Sequence, residues 1–312
     1  MIDNTHGQLI LTADILEQEI EDSANSDIVI KLSDAVEFLR SLSDHSVDCV
    51  ITDPPYMLSN GGSTCSGGKR VSVNKGDWDR SRGYAKNREF FTSWLVEAQR
   101  VLKPTGTIWV TGTYHCIHMI GDIMQELGYH ILNDINWTKP NGSPHLAGRM
   151  HAAKSETILW ASPYKTKKLL HTFNYDLMKS KNIVYKCSFK GCGTISKHSS
   201  RFCSRCGNAL DLTMIEVRQP TSLWDDINTP SGIEKLRGKH PTQKPVLLMK
   251  RIIESSTNEN DLIVDMFLGG GTTALVAQIL NRRFIGCDND QNSINLTNDR
   301  LAHPEDVSGL MK

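Results

Sequence analysis

Asp53, Pro54, Pro55 and Tyr56 close an apolar run, VDCVITDPPY over residues 47–56, and their chemistry is complementary. Each proline fixes φ and lacks an N–H, so its carbonyl is held in one direction as an acceptor. A carboxylate beside such a carbonyl can accept both hydrogens of an exocyclic NH2 group, and the tyrosine ring offers a flat face on which a base could stack. A strand that simply ends in a proline turn would carry the same four residues. The motif alone therefore leaves both readings open.

A second stretch, DLIVDMFLGGGTTALVAQIL over residues 261–280, reads as strand, glycine turn and helix. Glycines let a ligand approach the backbone, and a helix N-terminus favours a negative group. Gly269-Gly270-Gly271-Thr272-Thr273 does not have the spacing of a dinucleotide fingerprint, which argues against a nicotinamide dehydrogenase. The next strand, RRFIGCDND, ends at Asp288, an acid placed to bind ribose hydroxyls. Structural glycines beside a surface acid are the alternative, but the combination favours a nucleoside-containing cofactor. Upstream lies GKHPTQKP, in which a lone His240 before proline reads more readily as structural than as a base. Lys244-Pro245 suits the start of a helix.

Four cysteines form a third constellation. Cys187, Cys192, Cys203 and Cys206 have the spacing C-x4-C-x10-C-x2-C, and Gly193 and Gly207 follow the two pairs. Four thiolates in two local pairs suit tetrahedral Zn²⁺, and the glycines suit the turns around it. Such a site leaves no open coordination position, so its expected role is structural. Unligated thiols are the other reading, and His198 is a spare ligand that four cysteines do not need. Cys49, Cys65, Cys116 and Cys287 stand singly and are read as small buried thiols.

Short β-rich runs alternate with helical patterns from Asp27 onward, the signature of a parallel sheet covered on both faces. Strands are expected at 28–31, 47–52, 107–113, 131–137, 157–161, 261–267 and 283–287. Helices are expected at 34–42, 87–102, 116–127, 244–255, 272–280 and 291–301. The resulting fold class is α/β, a Rossmann-like, mostly parallel seven-stranded sheet with an inserted zinc-binding region. Residues 57–86, rich in Gly, Ser and charge, are too long for an ordinary connector and read as a lid or binding loop. The chain divides into a polar arm (1–26), a first catalytic part (27–162), an insertion (163–238), a second catalytic part (239–303) and a tail (304–312).

The chain has 312 residues, with 35 basic and 35 acidic side chains in balance. Between Lys165 and Arg205, however, ten Lys and Arg face Asp176 alone, a local charge of +9. A segment of that kind suits a phosphate backbone, although a solvated face would look the same. Neither a membrane-length apolar run nor a signal-peptide pattern is present, so a cytoplasmic protein without membrane contact is expected. In a reducing compartment eight cysteines do not imply a disulfide framework.

Taken in order, DPPY (53–56), HPTQKP (240–245) and DMFLGGGTT (265–273) resemble the permuted β-group of S-adenosylmethionine-dependent amino-DNA methyltransferases. RVLKPTGTIWV (100–110), ILNDINWTKPNGSPHLAG (131–148) and SETILWAS (155–162) extend the likeness over roughly residues 28–180 and 220–302. It is greatest to the adenine-N6 subgroup of cell-cycle-regulated and restriction-modification enzymes. The resemblance implies that Asp53, Pro54, Pro55 and Tyr56 hold a base flipped out of double-stranded DNA. Asp265, Phe267, Gly269, Gly271, Thr272 and Thr273 would line the methionine and adenosine parts of the cofactor, with Asp53 at the boundary. Asp288 would take the ribose, Asp34 would face the adenine, and His240, Gln243 and Lys244 would close the pocket. Ser33 and Gly270 depart from the family's usual glycine and serine.

In enzymes of this layout an initial Asp mostly accompanies adenine, and Ser cytosine N4. The expected activity is therefore methylation of adenine N6. The alternatives are cytosine N4, RNA, or an inactive zinc-stabilised DNA-binding protein. The insertion lies where the resemblance places target recognition, with Lys165, Lys167 and Lys168 on phosphates. Lys69, Arg70 and Lys75, near Trp78 in the 57–86 loop, are second candidates for DNA. A homodimer and a cognate restriction endonuclease are compatible partners.

Overall fold

The computed structural model describes residues 27–66, 69–143, 147–187, 189–196 and 202–311; the arm expected at 1–26 lies outside them. Two compact units are present: residues 27–173 with 222–311, and Asn174–Thr221, narrower than the insertion expected at 163–238.

The larger unit is built on one eight-stranded sheet in the order β1 (Ile28–Leu32), β13 (Arg283–Asp288), β12 (Leu262–Asp265), β2 (Val47–Thr52), β5 (Leu102–Gly112), β7 (Ala153–Ser162), β6 (His130–Ser143), β11 (Leu223–Trp224). Only β7 runs against its neighbours. The seven expected strands are all here, and the eighth, β11, corrects that number. Two residues carry no periodicity, and β11 is held by its parallel register on Asn136 and Trp137. The Trp137 indole also donates to the Ile227 carbonyl at 2.8 Å.

The central strands are apolar on both faces because helices cover both. Val50, Ile108, Val110 and Val264 point to one side, where they pack with α1 (Ala35–Arg40), α2 (Tyr84–Val101) and α3 (Ile117–Glu126). Cys49, Ile51, Trp109 and Ile263 point to the other, against α4 (Val246–Ser256), α5 (Thr272–Ile279) and α6 (Gln291–Leu301). This two-residue alternation within fully buried strands is the period expected of β-structure. Residues 304–311, which read as a tail, instead fold back through the one-turn helix Glu305–Ser308, burying Val307.

From β12 the chain passes through α5 to β13, on one side; from β2 it passes through α2 to β5, on the other. The carboxyl ends of β12 and β2, adjacent strands, therefore border a crevice that neither connection fills, where open α/β sheets bind ligands. Residues 57–86 form a projecting segment with a hairpin, β3 (Ser63–Ser66) on β4 (Lys69–Ser72), and a 3-10 turn at Asp77–Asp79. Among the described residues no helix is long and apolar enough to cross a membrane.

The smaller unit pairs β8 (Ser180–Cys187) with β10 (Leu210–Arg218) and the short β9 (Ile195–Ser196).

Candidate active site

A cavity of about 330 Å³ opens at the carboxyl ends of β1, β2, β12 and β13. Of the expected cofactor residues, Asp34, Asp53, His240, Gln243 and Lys244 line it, as do Asp265, Phe267, Gly269, Thr272, Thr273 and Asp288. Gly271 does not; it stands behind the wall as the N-cap of α5, with φ of 66°. A Cβ there would meet the Thr297 side chain, with Cγ2 at 2.6 Å and Cβ at 2.8 Å. Glycine is thus required twice over, by the left-handed backbone and by the close approach.

The carboxylates around the cavity are fixed by backbone N–H groups. Asp34 caps α1, accepting from Val36 N at 2.8 Å and Glu37 N at 3.2 Å. Asp288 accepts from Gly269 N at 2.8 Å and Asp290 N at 2.9 Å, joining the glycine turn to the end of β13. Asp265 is buried and accepts from Phe267 N at 3.0 Å and the Thr273 hydroxyl at 2.8 Å. Burial outweighs these two donors and lifts its carboxyl to about 7. A cationic ligand beside it would be rewarded for restoring the charge.

His240 forms part of the opposite wall, with Trp78 stacked on it at 6.2 Å between centroids. Burial lowers the imidazole's affinity for a proton against the pull of Asp288 and Asp53. It is therefore a neutral part of the cavity wall. Behind the glycine turn, buried Arg300 donates to the Gly270 carbonyl, and to the Thr272 hydroxyl at 3.1 Å. Sequence reasoning gave Arg300 no role, because a basic residue near a helix end ordinarily faces water.

Asp53 stands where the cavity meets a second, polar cluster. Its Oδ1 accepts from the Tyr56 hydroxyl at 2.7 Å and from the Thr111 hydroxyl, and its Oδ2 from the Lys244 ammonium. Lys244, expected only to close the cofactor pocket, is thus also the counter-ion of Asp53. Its Nζ lies 5.1 Å from the centroid of the Tyr56 ring. Glu156 completes the cluster: Oε1 is paired with Lys139, and Oε2 lies 3.1 Å from the Tyr56 oxygen and 3.5 Å from Lys244 Nζ.

Within this cluster the shifts of Glu156 and Lys244 oppose what burial alone would do. Burial alone would raise the Glu156 carboxyl, but Lys244 and Lys139 overcome it and hold it below the usual range. Burial alone would lower the Lys244 ammonium, but Asp53 and Glu156 overcome it and raise it. Burial, reinforced by Asp53 and Glu156, pushes the Tyr56 phenol well above its ordinary range, so it acts as a neutral O–H donor. Thr111, Lys139 and Glu156 were not singled out from sequence. The available signal was a charge, Glu156, at the head of an otherwise uncharged stretch, SETILWAS.

The loop 57–86 is pinned at its neck by buried Asp79, which accepts from the Ser59 hydroxyl at 2.9 Å and from Leu58 N at 3.2 Å. The pin carries Trp78 and Arg82 to the cavity wall. Arg70 and Lys75 are exposed, and the Lys69 side chain lies outside the described residues. Lys165, Lys167 and Lys168 are also exposed, and none of the three lines the cavity.

In the smaller unit, the Sγ atoms of Cys187, Cys192, Cys203 and Cys206 all lie within 4.8 Å of one another. Cys187 and Cys206 are 3.3 Å apart at sulfur, and Cys192 and Cys203 3.7 Å. Gly193 and Gly207 both adopt left-handed φ, 61° and 73°, as tight turns require. Arg205 N and Asn208 Nδ2 approach the Cys203 and Cys206 sulfurs at 3.4 Å each. His198 lies outside the described residues.

Comparison with known proteins identifies the family of the chain. The sequence profile of the DNA methylase family N6_N4_Mtase matches residues 47–299. Type II methyltransferase M2.DpnII of Streptococcus pneumoniae is 39% identical over 274 residues, 88% of this chain and 89% of that protein. Type II methyltransferase M2.LlaDCHI of Lactococcus lactis subsp. cremoris is 36% identical, over 95% and 94%. The crystal structure of the M1.HpyAVI–SAM complex superposes with a TM-score of 0.54 at 25% identity, covering 88% of this chain and 98% of that one. The chain belongs to the N6/N4 DNA methylase family and is an S-adenosylmethionine-dependent DNA methyltransferase.

Proposed function

We propose that this enzyme methylates the N6 amine of adenine at a specific site in double-stranded DNA, on a base flipped out of the helix. The observation that carries the reading is the position of Asp53, at once a wall of the cofactor cavity and the centre of the polar cluster. An exocyclic amine is a poor nucleophile because its lone pair is delocalised into the ring. Accepting its two hydrogens on Asp53 and the Pro54 carbonyl would favour a pyramidal nitrogen whose lone pair points outward. Tyr56 and Pro55 would hold the base plane. S-Adenosylmethionine, when bound, supplies a methyl group already activated by a sulfonium. The chain's task is then alignment, in which effective molarity carries most of the acceleration. A stacked base cannot reach so enclosed a site, hence the flip.

The cavity suits this cofactor. Asp288 and Asp34 offer acceptors for ribose hydroxyls and the adenine amine, and buried Asp265 favours a cationic neighbour. His240, Gln243, Phe267, Gly269, Thr272 and Thr273 would supply the remaining walls. Gly270 removes the hydroxyl that the family's usual serine would offer, and Arg300 then steadies the turn through its carbonyl.

Methylation of a defined DNA followed by base-resolution mapping tests the reading. N6-methyladenine at one recurring sequence is expected. N4-methylcytosine would reassign the base, and absence of any methylation would favour a DNA-binding protein with an inactive fold.

Exposed Lys165, Lys167 and Lys168, with Arg70 and Lys75, are proposed to grip phosphates, and the smaller unit to read target bases. Reversing the charge of the three lysines should weaken DNA binding about equally on all sequences and flatten its salt dependence. Unchanged affinity and slope in a salt titration would remove them from the interface. The four sulfurs are proposed to hold one structural Zn²⁺: tetrahedral Zn–S bonds of about 2.3 Å place sulfurs roughly 3.8 Å apart, close to the observed spacings. The matched proteins are named type II methyltransferases, so a restriction endonuclease reading the same sequence is the proposed companion. A homodimer and a cytoplasmic location complete the reading.

A further inference from the structure

The polar cluster contains two donors that are each within reach of both carboxylates. The Tyr56 oxygen lies 2.7 Å from Asp53 Oδ1 and 3.1 Å from Glu156 Oε2, yet its hydroxyl has one proton to give. The Lys244 ammonium contacts Asp53 and lies 3.5 Å from the same Glu156 oxygen. Thr111 donates to Asp53 as well. In this arrangement three of the roughly four lone-pair sites of the Asp53 carboxylate are taken, and its charge is neutralised by a buried cation. A carboxylate so occupied is a weak acceptor for an incoming amine.

From this geometry we infer that Glu156 is a positioning residue, the alternate acceptor onto which Lys244 and the Tyr56 hydroxyl turn when the base amine arrives at Asp53. The inference rests on the reading that Asp53 receives that amine. Little motion is needed, because both donors already touch or approach Glu156. Lys139 holds the other Glu156 oxygen, so the carboxylate is aimed with Oε2 toward the donors. The exchange conserves the charge of the cluster, two cations and two anions, throughout. Without Glu156, the only anion left for Lys244 within the cluster is Asp53 itself, and the amine must compete with a buried ammonium. The cluster would also carry an extra positive charge beside the nitrogen on which positive charge develops.

A double-mutant cycle on the full-length enzyme tests this. Glu156→Gln should lower kcat by about tenfold or more, in the range of coupling between contacting charged residues, and leave the KM for S-adenosylmethionine unchanged. In a Lys244→Met background the same change should cost less than about twofold, since no ammonium remains to be moved. Equal losses in the two backgrounds, or no loss with Lys244 present, would overturn the inference. Should Glu156→Gln fail to fold, Glu156→Asp keeps the charge but withdraws it by one methylene, and the cycle is read the same way.

A second measurement does not depend on the activity of any variant. In a complex of the wild-type enzyme with sinefungin and substrate DNA, Lys244 Nζ should lie within about 3.2 Å of Glu156 and have left Asp53. An ammonium still seated on Asp53 beside the bound amine would refute the exchange. A complex with no amine at Asp53 would instead refute the functional reading, which the product map tests separately.

Discussion

Asp53→Ala abolishes methyl transfer, a loss of about 10³-fold or more, while affinity for S-adenosylmethionine stays close to wild type. The expected asymmetry follows from what Asp53 touches. It is one of many residues around the cavity, but among the described residues it alone accepts hydrogen bonds from Tyr56, Thr111 and Lys244 together. Removing it would take away the acceptor proposed for the amine and leave the nitrogen planar and misaligned. The variant should survive as a folded protein, since Lys244 retains Glu156 nearby as a counter-ion. Stripping a partner from a buried pair nonetheless costs about 3–5 kcal/mol when no other charge compensates, so thermal melts belong beside the assay. Asp53→Asn, which keeps the shape, separates loss of charge from loss of packing. Incorporation of labelled methyl into DNA reads the first quantity and calorimetry the second. Turnover by Asp53→Ala within tenfold of wild type would end the role assigned to it.

The second large effect concerns the smaller unit. Freshly purified, reduced protein should contain one equivalent of zinc, and Cys203→Ser should lose it together with the fold of residues 174–221. A structural zinc contributes about 10–16 kcal/mol of apparent binding free energy, far more than a core of this size can supply. The catalytic unit has separate hydrophobic clusters above and below its own sheet, so cofactor binding should persist in the variant. The expected picture is an enzyme that binds S-adenosylmethionine but methylates DNA poorly. Less than about half an equivalent of metal by elemental analysis would refute the assignment, as would a Cys203→Ser protein with unchanged DNA methylation.

The parts legible in the sequence were those whose cause is local. Strand periodicity located every strand longer than two residues in the main sheet, and missed β11, which exists only because Asn136 and Trp137 offer it a register. Glycines at 269 and 271, the acid at the end of β13 and the cysteine spacing each announce themselves within a few neighbours. The polar cluster does not. Its members meet across large separations: Thr111 and Asp53 are 58 residues apart, Tyr56 and Glu156 100, and Lys244 and Asp53 191. No window of sequence contains that information. Only the lateral order of β2, β5 and β7, together with the segment before α4, brings those side chains together.

That lateral order also fixes where the chain can be cut. The smaller unit departs after Phe173 and returns at Ser222, just before β11, the strand at the edge of the sheet opposite β1. Neither junction falls at the carboxyl ends of β12 or β2, where the chemistry is arranged. A different insert could therefore be spliced between these two points without disturbing the register of any central strand. If residues 174–221 read the target as proposed, exchanging them would change the recognised word and leave the reaction as it is.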